Sequence, residues 1–467
     1  MIRKSTFIPV MLVMVIVFTA ATSAISSADQ TPASNATIAK SCAMCHQAKA
    51  NILWGEFDNV AFKANTIQMK IDDTTVLLAF DEDDIKVVTT DGKNMDGGAL
   101  HKAKRGQAIK VEYTESKGVK TAVRLVEKPV ARVSPEMLFT LADLEKLISK
   151  GPKKGHYFLY DSRPEARYHE GAIPSAISLP YPAFDTMADK LPKDKHALIV
   201  FYSSGATCNM SPASAEKAQK MGYTNVKVFR DGIPAWSAKH YTVLSPQSFK
   251  SAWIDKGIPY VLLDARATKE ASKGFIKGAV SFPASRAAKL IKNLPTDEVN
   301  PPIIIYDAKG SNQAEQAAAA LVKAGYSNVN ILSGGFAAWH AAKYEFGRGK
   351  MSSRASYIPQ PRPGAINVNE FKKYAESLPS NVVIVDVRNL NEVQSGMLKV
   401  AKNIPLELLQ SRAAEIPKDK LVITQCATGV RAEMAYHTLK ALGYSTVKFL
   451  NAKIKFDKNG SYTIDED

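Results

Sequence analysis

Cysteine is scarce in this sequence. The 467 residues contain four, at Cys42, Cys45, Cys208 and Cys426. So few thiols cannot supply the disulfide framework of a small secreted scaffold, and a chain this long has enough apolar material to form several cores without one. Cys42 and Cys45 form a local pair, whereas Cys208 and Cys426 stand alone. Lone thiols are unusual in an oxidising compartment and would require a chemical explanation there.

Long apolar runs are also absent, except at the N-terminus. There Arg3 and Lys4 precede an apolar stretch from Phe7 to Ala21, and small residues follow up to Ala28. This layout is typical of a secretory signal peptide, and the run is shorter than the ~18 residues that a membrane span needs. We therefore predict a signal peptide over residues 1–28, export to the periplasm and no membrane span after cleavage. A signal segment that is kept as an anchor is the alternative.

Acidic residues are in deficit. The chain has 45 Asp and Glu against 61 Lys and Arg, which gives a net charge of +16. A basic balance can attract nucleic acid, anionic lipid or small anions. The lysines are spread along the chain without a compact basic run, and export argues against nucleic acid. We therefore expect no nucleic-acid partner, and a solvated basic surface that favours small anions.

Three segments of the chain repeat one order of landmarks. Each begins with an apolar strand that ends in Asp-x-Arg, at Arg163, Arg266 and Arg388. A second apolar strand, a short loop, an Ala-rich helical stretch, a Gly-Tyr pair and a third strand follow in each. Continuous apolar strands that alternate with helices indicate parallel α/β units, and a period of roughly 100 residues is too long for a solenoid. The sequence predicts three tandem α/β domains with parallel sheets.

The N-terminal region has a different pattern. Between about Asn51 and Val130, apolar and polar residues alternate between turn signals such as Asp72-Asp73 and Asp91-Gly92. This pattern predicts a small antiparallel β-sandwich or barrel. A segment rich in Ser, Pro and Gly predicts a linker before the third α/β unit. The expected organisation is a signal peptide (1–28), an N-terminal segment with the small β domain (29–130), two α/β domains (133–242 and 243–345), the linker (346–364) and a third α/β domain (365–467).

Cys426 lies at a turn from a strand to a helix. The strand LVITQ precedes it, and the helical pattern AEMAYHTLKALGY follows the loop. Loop N–H groups and a helix N-terminus favour an anion there and favour the thiolate form of the cysteine. Gly429 allows conformations closed to other residues, and Arg431 can hold two oxygens of a tetrahedral oxyanion. A small buried cysteine with no chemistry is the alternative. The loop consists of Cys426, Ala427, Thr428, Gly429, Val430 and Arg431.

These features resemble the rhodanese family. The resemblance covers about Val133 to Leu450 in three copies, and it rests on the Asp-x-Arg strands, the Cys426 loop and the closing turns GIPAW and GGFAAW of units one and two. It implies that Cys426 attacks the outer sulfur of thiosulfate, becomes a persulfide and passes the sulfur to an acceptor thiol or cyanide. A six-residue loop is the size associated with sulfur substrates in this family. The third unit departs from the pattern at Gly396–Ala401 and lacks the Gly-rich closing turn.

The first two units carry damaged copies of the loop. In unit two Asp307 takes the nucleophile position and the closing arginine is absent. A carboxylate there would repel thiosulfate, so we interpret this unit as inactive. In unit one Ser203 takes the nucleophile position, with no base in the sequence to activate it. Cys208 follows five residues later, either as a secondary thiol at a helix start or, preferably, as a buried structural cysteine.

A CxxCH motif follows the signal segment. Cys42, Cys45 and His46 match the attachment sequence of a c-type haem, in which two thiols bond to the vinyl groups and the histidine ligates the iron. We therefore expect one covalent haem c. A CxxC redox disulfide and half of a zinc site are the alternatives. The residues available as a second iron ligand are Met69, Met95 and His101.

Two functions fit these features. The first is a periplasmic sulfurtransferase that forms a Cys426 persulfide, linked to electron flow through the haem. The second is a non-catalytic component of an extracytoplasmic electron-transfer or sulfur/selenium-binding assembly, with the α/β units as docking modules. The expected partners are small sulfur anions and an acceptor thiol or a redox partner protein.

Overall fold

The computed structural model describes residues 37–39, 47–296, 299–457 and 461–465. Along the chain it shows a β-barrel followed by three α/β domains. Within these ranges no helix is long and apolar enough to cross a membrane. The small β domain and the three α/β domains with parallel sheets confirm the expected fold class.

The barrel is a sheet of seven strands in the order β3-β2-β1-β6-β7-β4-β5. A further pairing of β3 with β7 closes it, so five of its strands form a ring. Alternate residues of β2, such as Ile67, Met69 and Ile71, have no exposed surface, as expected for an inward-facing row. Asp72 turns the chain between β2 and β3 with a φ of 52°. The strands are β1 (Ile52–Ala61), β2 (Thr66–Ile71), β3 (Thr74–Ala79), β4 (Lys86–Val88), β5 (Asn94–Met95), β6 (Ala108–Ser116) and β7 (Val119–Glu127).

The first α/β domain has a parallel sheet in the order β11-β10-β8-β9. Its strands are β8 (Tyr157–Asp161), β9 (Ile177–Ser178), β10 (Leu198–Tyr202) and β11 (Val226–Phe229). Its helices are α1 (Leu141–Gly155), α2 (Glu165–Glu170), α3 (Met210–Lys220) and α4 (Gly232–Ser237). Helix α1 begins with a capping box between Thr140 and Asp143.

The second α/β domain has a parallel sheet in the order β12-β17-β16-β13-β15. Its strands are β12 (Thr242–Leu244), β13 (Val261–Asp264), β14 (Phe275–Ile276), β15 (Val280–Ser281), β16 (Ile303–Tyr306), β17 (Val329–Leu332) and β18 (Phe346–Gly347). Its helices are α5 (Pro246–Ser248), α6 (Thr268–Ala271), α7 (Ala287–Leu290), α8 (Asn312–Lys323) and α9 (Gly335–Ala341).

The first two domains are joined through backbone hydrogen bonds. The N–H of Ala172 in the first domain donates to the carbonyl of Val243 on β12 at 2.9 Å, and the N–H of Val243 donates to the carbonyl of Ala172 at 2.8 Å. Strand β12 therefore belongs to the second sheet while it is bonded to the first domain.

The segment expected as a linker, 346–364, is partly ordered against the second domain. Strand β18 pairs with β14, and Ser281 donates its N–H to the carbonyl of Ser352. Met351 is buried in the apolar core of the same domain. The first part of this segment is therefore a piece of the second domain, because its backbone groups and one apolar side chain find partners there.

The third α/β domain has a parallel sheet in the order β20-β19-β21-β22 and ends in an antiparallel hairpin of β23 and β24. Its strands are β19 (Val382–Asp386), β20 (Ala401–Asn403), β21 (Leu421–Gln425), β22 (Val447–Phe449), β23 (Lys453–Phe456) and β24 (Tyr462–Asp465). Its helices are α10 (Val368–Glu376), α11 (Leu390–Val393), α12 (Leu409–Arg412) and α13 (Val430–Ala441).

Short helices of other types connect these elements. The 3₁₀ turns are Phe62–Ala64, Gly97–Lys102, Pro135–Met137, Tyr181–Ala183, Asp185–Lys190, Ala284–Arg286, Ile291–Asn293, Leu406–Leu408 and Ala413–Glu415, and Phe249–Ile254 is a π-helix.

Candidate active site

The Asp-x-Arg pairs of the three domains are buried ion pairs. In the third domain Arg388 donates from Nε and Nη2 to the Asp386 carboxylate and from Nη2 to the Gly396 carbonyl, at 2.9 Å. This pair fixes the loop after β19 to the sheet, since both charged groups are almost fully enclosed. The same bonds join Arg163 with Asp161 and Gly171, and Arg266 with Asp264 and Gly274.

In the third domain, which lacks the Gly-rich turn, the hairpin of β23 and β24 supplies the aromatic ring that covers the arginine. In the second domain the ring of Phe336, from the Gly-rich turn, covers Arg266 with 4.6 Å between the guanidinium carbon and the ring centroid. In the third domain Phe456 on β23 covers Arg388 at 4.3 Å. The hairpin also bonds to the active loop, because Ile454 donates its N–H to the carbonyl of Ala427 at 3.0 Å.

Cys426 directly follows β21, and α13 begins four residues later. Its side chain is a free thiol with no exposed surface in this structure. Gly429 precedes the helix with a φ of 85°, and an added Cβ would approach Ala452 N to 3.3 Å. Both the conformation and the space therefore favour glycine at this position. The structure thus places Cys426 at the strand-to-helix turn, as expected.

Arg431 on α13 is held by a residue that the sequence analysis missed. Its Nη1 and Nη2 atoms donate to the two oxygens of Glu392, at 2.6 and 2.9 Å. These bonds, with help from the Asn389 N–H and from Lys63, hold the pKa of Glu392 at about 2. Burial would lower the pKa of Arg431, but Glu392 and the neighbouring Cys426 raise it. Arg431 is therefore a cation fixed by Glu392, its fork is occupied by a carboxylate, and it interacts electrostatically with Cys426.

The barrel contributes to this site. Lys63, in the turn after β1, places its Nζ 3.1 Å from Oε1 of Glu392. Asn389 donates from Nδ2 to the carbonyl of Lys63 at 2.8 Å. A three-membered chain of charges, Lys63–Glu392–Arg431, therefore runs from the barrel to the helix that follows Cys426.

A family model of the rhodanese-like domain matches residues 140–239, 245–342 and 367–455. The chain belongs to this family. A sulfurtransferase of Allochromatium vinosum is 36% identical over 74 residues, which are 16% of this chain and 69% of that protein. YqhL of Bacillus subtilis is 38% identical over 72 residues, which are 15% of this chain and 57% of that protein. The crystal structure of a thiosulfate sulfurtransferase from Pseudomonas aeruginosa aligns with 69% of this chain and 67% of its own at 18% identity, with a TM-score of 0.22.

In the second rhodanese domain, backbone N–H groups of the loop bind the carboxylate of Asp307, a residue of the same loop. The Asp307 side chain turns inward and accepts hydrogen bonds from backbone N–H groups of the loop and of the start of α8. Burial alone would raise its pKa, but bonds from Ala314, Lys309 and neighbouring residues outweigh it and lower the pKa. An internal anion therefore occupies the ring of amides, in addition to the repulsion of anions that a carboxylate causes. The donors are Lys309, Gly310, Ser311, Gln313 and Ala314.

The loop of the first rhodanese domain has a hydroxyl in place of the thiol. Ser203 is buried and its Oγ lies 2.9 Å from Oγ of Ser211 on α3. Cys208 is half-buried just before α3, and its N–H donates to the carbonyl of Gly205. The structure therefore gives Cys208 some access to solvent, in a domain separate from the one that holds Cys426.

The CxxCH residues Cys42, Cys45 and His46 lie outside the described residues. Of the three expected second ligands, Met69 is fully buried in the barrel core. His101 stacks on Phe62, with 3.6 Å between the ring centroids, and keeps 61% of its side chain exposed. Met95 is 47% exposed. In the part of the chain that the structure describes, no three His, Cys, Asp or Glu residues cluster as metal ligands.

Proposed function

We propose that the chain is a sulfurtransferase whose third rhodanese domain carries sulfane sulfur as a Cys426 persulfide. The observation that carries this proposal is the position of Cys426. A free thiol directly follows the inner strand β21 and lies four residues before the 12-residue helix α13, on which Arg431 is held by Glu392. Backbone N–H groups and a helix N-terminus favour the thiolate and an anionic donor at that point.

The proposed reaction has two displacements at sulfur. The Cys426 thiolate attacks the outer sulfur of thiosulfate, a new S–S bond forms, and sulfite leaves with the electron pair of the bond that breaks. An acceptor thiolate then attacks the outer sulfur of the persulfide and releases the Cys426 thiolate. Neither step requires an external oxidant or reductant.

In this proposal Arg431 does not hold two oxygens of the substrate anion, as the sequence predicted. Because Glu392 occupies both Nη atoms, the arginine acts as a fixed positive charge beside the thiolate, and the loop amides bind the anion. The orientation that Glu392 gives to the guanidinium is the reason that we include it in the site.

A non-catalytic role is the second candidate, and the loops of the first two domains favour it. Ser203 cannot form a persulfide, and the carboxylate of Asp307 fills its own loop. Turnover separates the two candidates. We expect Cys426→Ala to abolish thiosulfate-dependent sulfur transfer, and Cys208→Ala to retain most of it. Wild-type turnover by Cys426→Ala would favour the non-catalytic role.

We also propose that the exported protein carries one haem c at Cys42 and Cys45, with His46 as an iron ligand. The support is the CxxCH spacing. Expressed with export and haem-maturation machinery, the protein should show a c-type absorption spectrum, and its haem should stay covalently attached after denaturation. Cys45→Ser should lose this spectrum and Cys208→Ser should keep it. A colourless protein with a Cys42–Cys45 disulfide would show that the motif is a redox pair.

A further inference from the structure

The turn of the barrel after β1, residues 61–65, lies against the third rhodanese domain at the Cys426 loop. Two polar contacts cross this boundary at Lys63, one from its Nζ to Glu392 and one from Asn389 to its carbonyl. Both partners lie at the start of α11, and Glu392 in turn holds Arg431. The turn therefore contacts the residues that position the active loop.

Apolar packing joins the same two surfaces. Ala61 and Ala64 are 8% and 3% exposed, and they belong to one continuous cluster of buried residues with Cys426 and Val387. Leu77 on β3 packs against this cluster. Helix α13, which follows Cys426, contacts both β1 and β3. The barrel thus covers one side of the helix whose N-terminus forms the site.

Charged groups of the barrel also act on α13. His437 on this helix is half-buried, and burial followed by the charge of Lys70 lowers its pKa to about 4. Asp58 itself is buried. It accepts a hydrogen bond from Gln68 and forms an ion pair with Arg105. The polar contacts at Lys63 and the apolar packing therefore place the barrel on this domain.

The barrel and the third domain are held to the rest of the chain by separate tethers. The barrel is tethered to the first rhodanese domain, where Ala131 donates its N–H to Ala206. The third domain is tethered to the second through residues 353–364, which follow its last strand. The side chain of Lys63 is 66% exposed and that of Glu392 is 15% exposed, so the ammonium of this pair lies at the surface, where ion pairs contribute only about 0–1 kcal/mol. Separate tethers keep the two surfaces at a high local concentration while they dock and undock.

We propose that the barrel is a removable cap that selects what reaches Cys426. While it is docked, the thiol has no exposed surface, and a small anion reaches it through a partial opening of the boundary. A protein thiol reaches the site only after the cap moves away. The identity of the reactants rests on the proposed sulfur transfer. The control of access to the thiol by the barrel is independent of that proposal. Access is therefore measured by alkylation of the thiol, which does not depend on sulfur transfer.

The test compares two reagents at Cys426 in the full-length protein, quantified on the Cys426 peptide by mass spectrometry. Iodoacetamide is small, and a polyethylene-glycol maleimide is bulky. Lys63→Glu places a carboxylate against Glu392 and should raise the rate with the bulky reagent by roughly ten-fold, because like charges in contact repel. The rate with iodoacetamide should change much less. Lys86→Glu, on an exposed position of β4, is the matched control and should change neither rate.

Ala64→Arg is the second variant, because its side chain cannot fit in the buried contact. It should also raise the rate with the bulky reagent, while circular dichroism shows that the fold is retained. Equal rates with the bulky reagent in the wild-type protein and in both variants would overturn the cap. If the variants respond as expected but thiosulfate gives no Cys426 persulfide, the proposed function fails and the cap stands.

Discussion

At the scale of single residues, the pair of Arg431 and Glu392 controls the electrostatics of the site. Their side chains are 8% and 15% exposed, so the bonds between them are shielded from water. Removing one partner of a buried ion pair is costly because the other charge is left uncompensated. The arginine also lies beside the thiol that we expect to ionise. Glu392 therefore affects both stability and the orientation of the cation.

We expect Glu392→Gln to destabilise the third domain by about 3 kcal/mol and to lower sulfur transfer. Hydrogen exchange of the β19 and β21 amides measures the stability of this domain. Glu415→Gln is the matched control. Its carboxylate pairs with Arg412 and Lys402 at the surface, and such pairs contribute about 0–1 kcal/mol. Equal effects of the two substitutions would contradict the special role of Glu392.

The dependence of stability on pH follows from the direction in which folding shifts the pKa of Glu392. The pKa of Glu392 falls from an ordinary 4.5 to about 2 on folding. A lowered folded-state pKa gives stability that is complete above the unfolded value and is lost as the pH falls from there through the folded value. The wild-type third domain should therefore lose stability between about pH 4.5 and pH 2 more steeply than Glu392→Gln.

At the scale of elements, the loop of the second domain shows how one side chain closes a site. Asp307 satisfies five backbone N–H groups that an external anion would otherwise meet. Asp307→Ala leaves them without this partner, and we expect a loss of about 1–3 kcal/mol in the stability of that domain. Asp255→Ala, an exposed aspartate of the same domain, is the control.

Sulfate tests whether the opened loop is an anion site. Sulfate should stabilise Asp307→Ala more than it stabilises the wild-type protein, because sulfate stabilises folded proteins in general and only the excess reports binding. Thermal unfolding with sulfate and with chloride at equal ionic strength measures this excess. An equal gain in both proteins would show that the loop of the variant does not bind the anion.

The elements themselves could be predicted from the sequence because their signals are local. Apolar strands that end in Asp-x-Arg, and the glycine at position 429, are each visible within a few residues of chain. The pair of Glu392 and Arg431 joins two helices, α11 and α13, at positions 39 residues apart, and no local pattern marks it. The same holds for Asp307, whose identity was evident from the sequence but whose inward rotation depends on amides ordered by the fold.

At the scale of the whole molecule, the contact between the first and last folded units had no sequence signal. Lys63 and Glu392 are 329 positions apart, and each is an ordinary surface residue type. Their contact follows from the packing of two apolar surfaces. One is formed by the small side chains of the barrel turn, and the other by helix α13. Alternation along the strands predicted the barrel, since that pattern depends only on which side chains face inward. It could not predict which outer surface of the barrel is covered.

The central claim is that sulfur is carried on Cys426, and the most direct measurement is the mass of the Cys426 peptide after incubation with thiosulfate. We predict that this peptide gains the mass of one sulfur atom, that a reductant removes the gain, and that the Cys208 peptide of the same sample stays unmodified. The Cys208→Ser protein should give the same result. An unmodified Cys426 peptide under conditions in which the protein is folded, or sulfur found on Cys208 alone, would contradict the account.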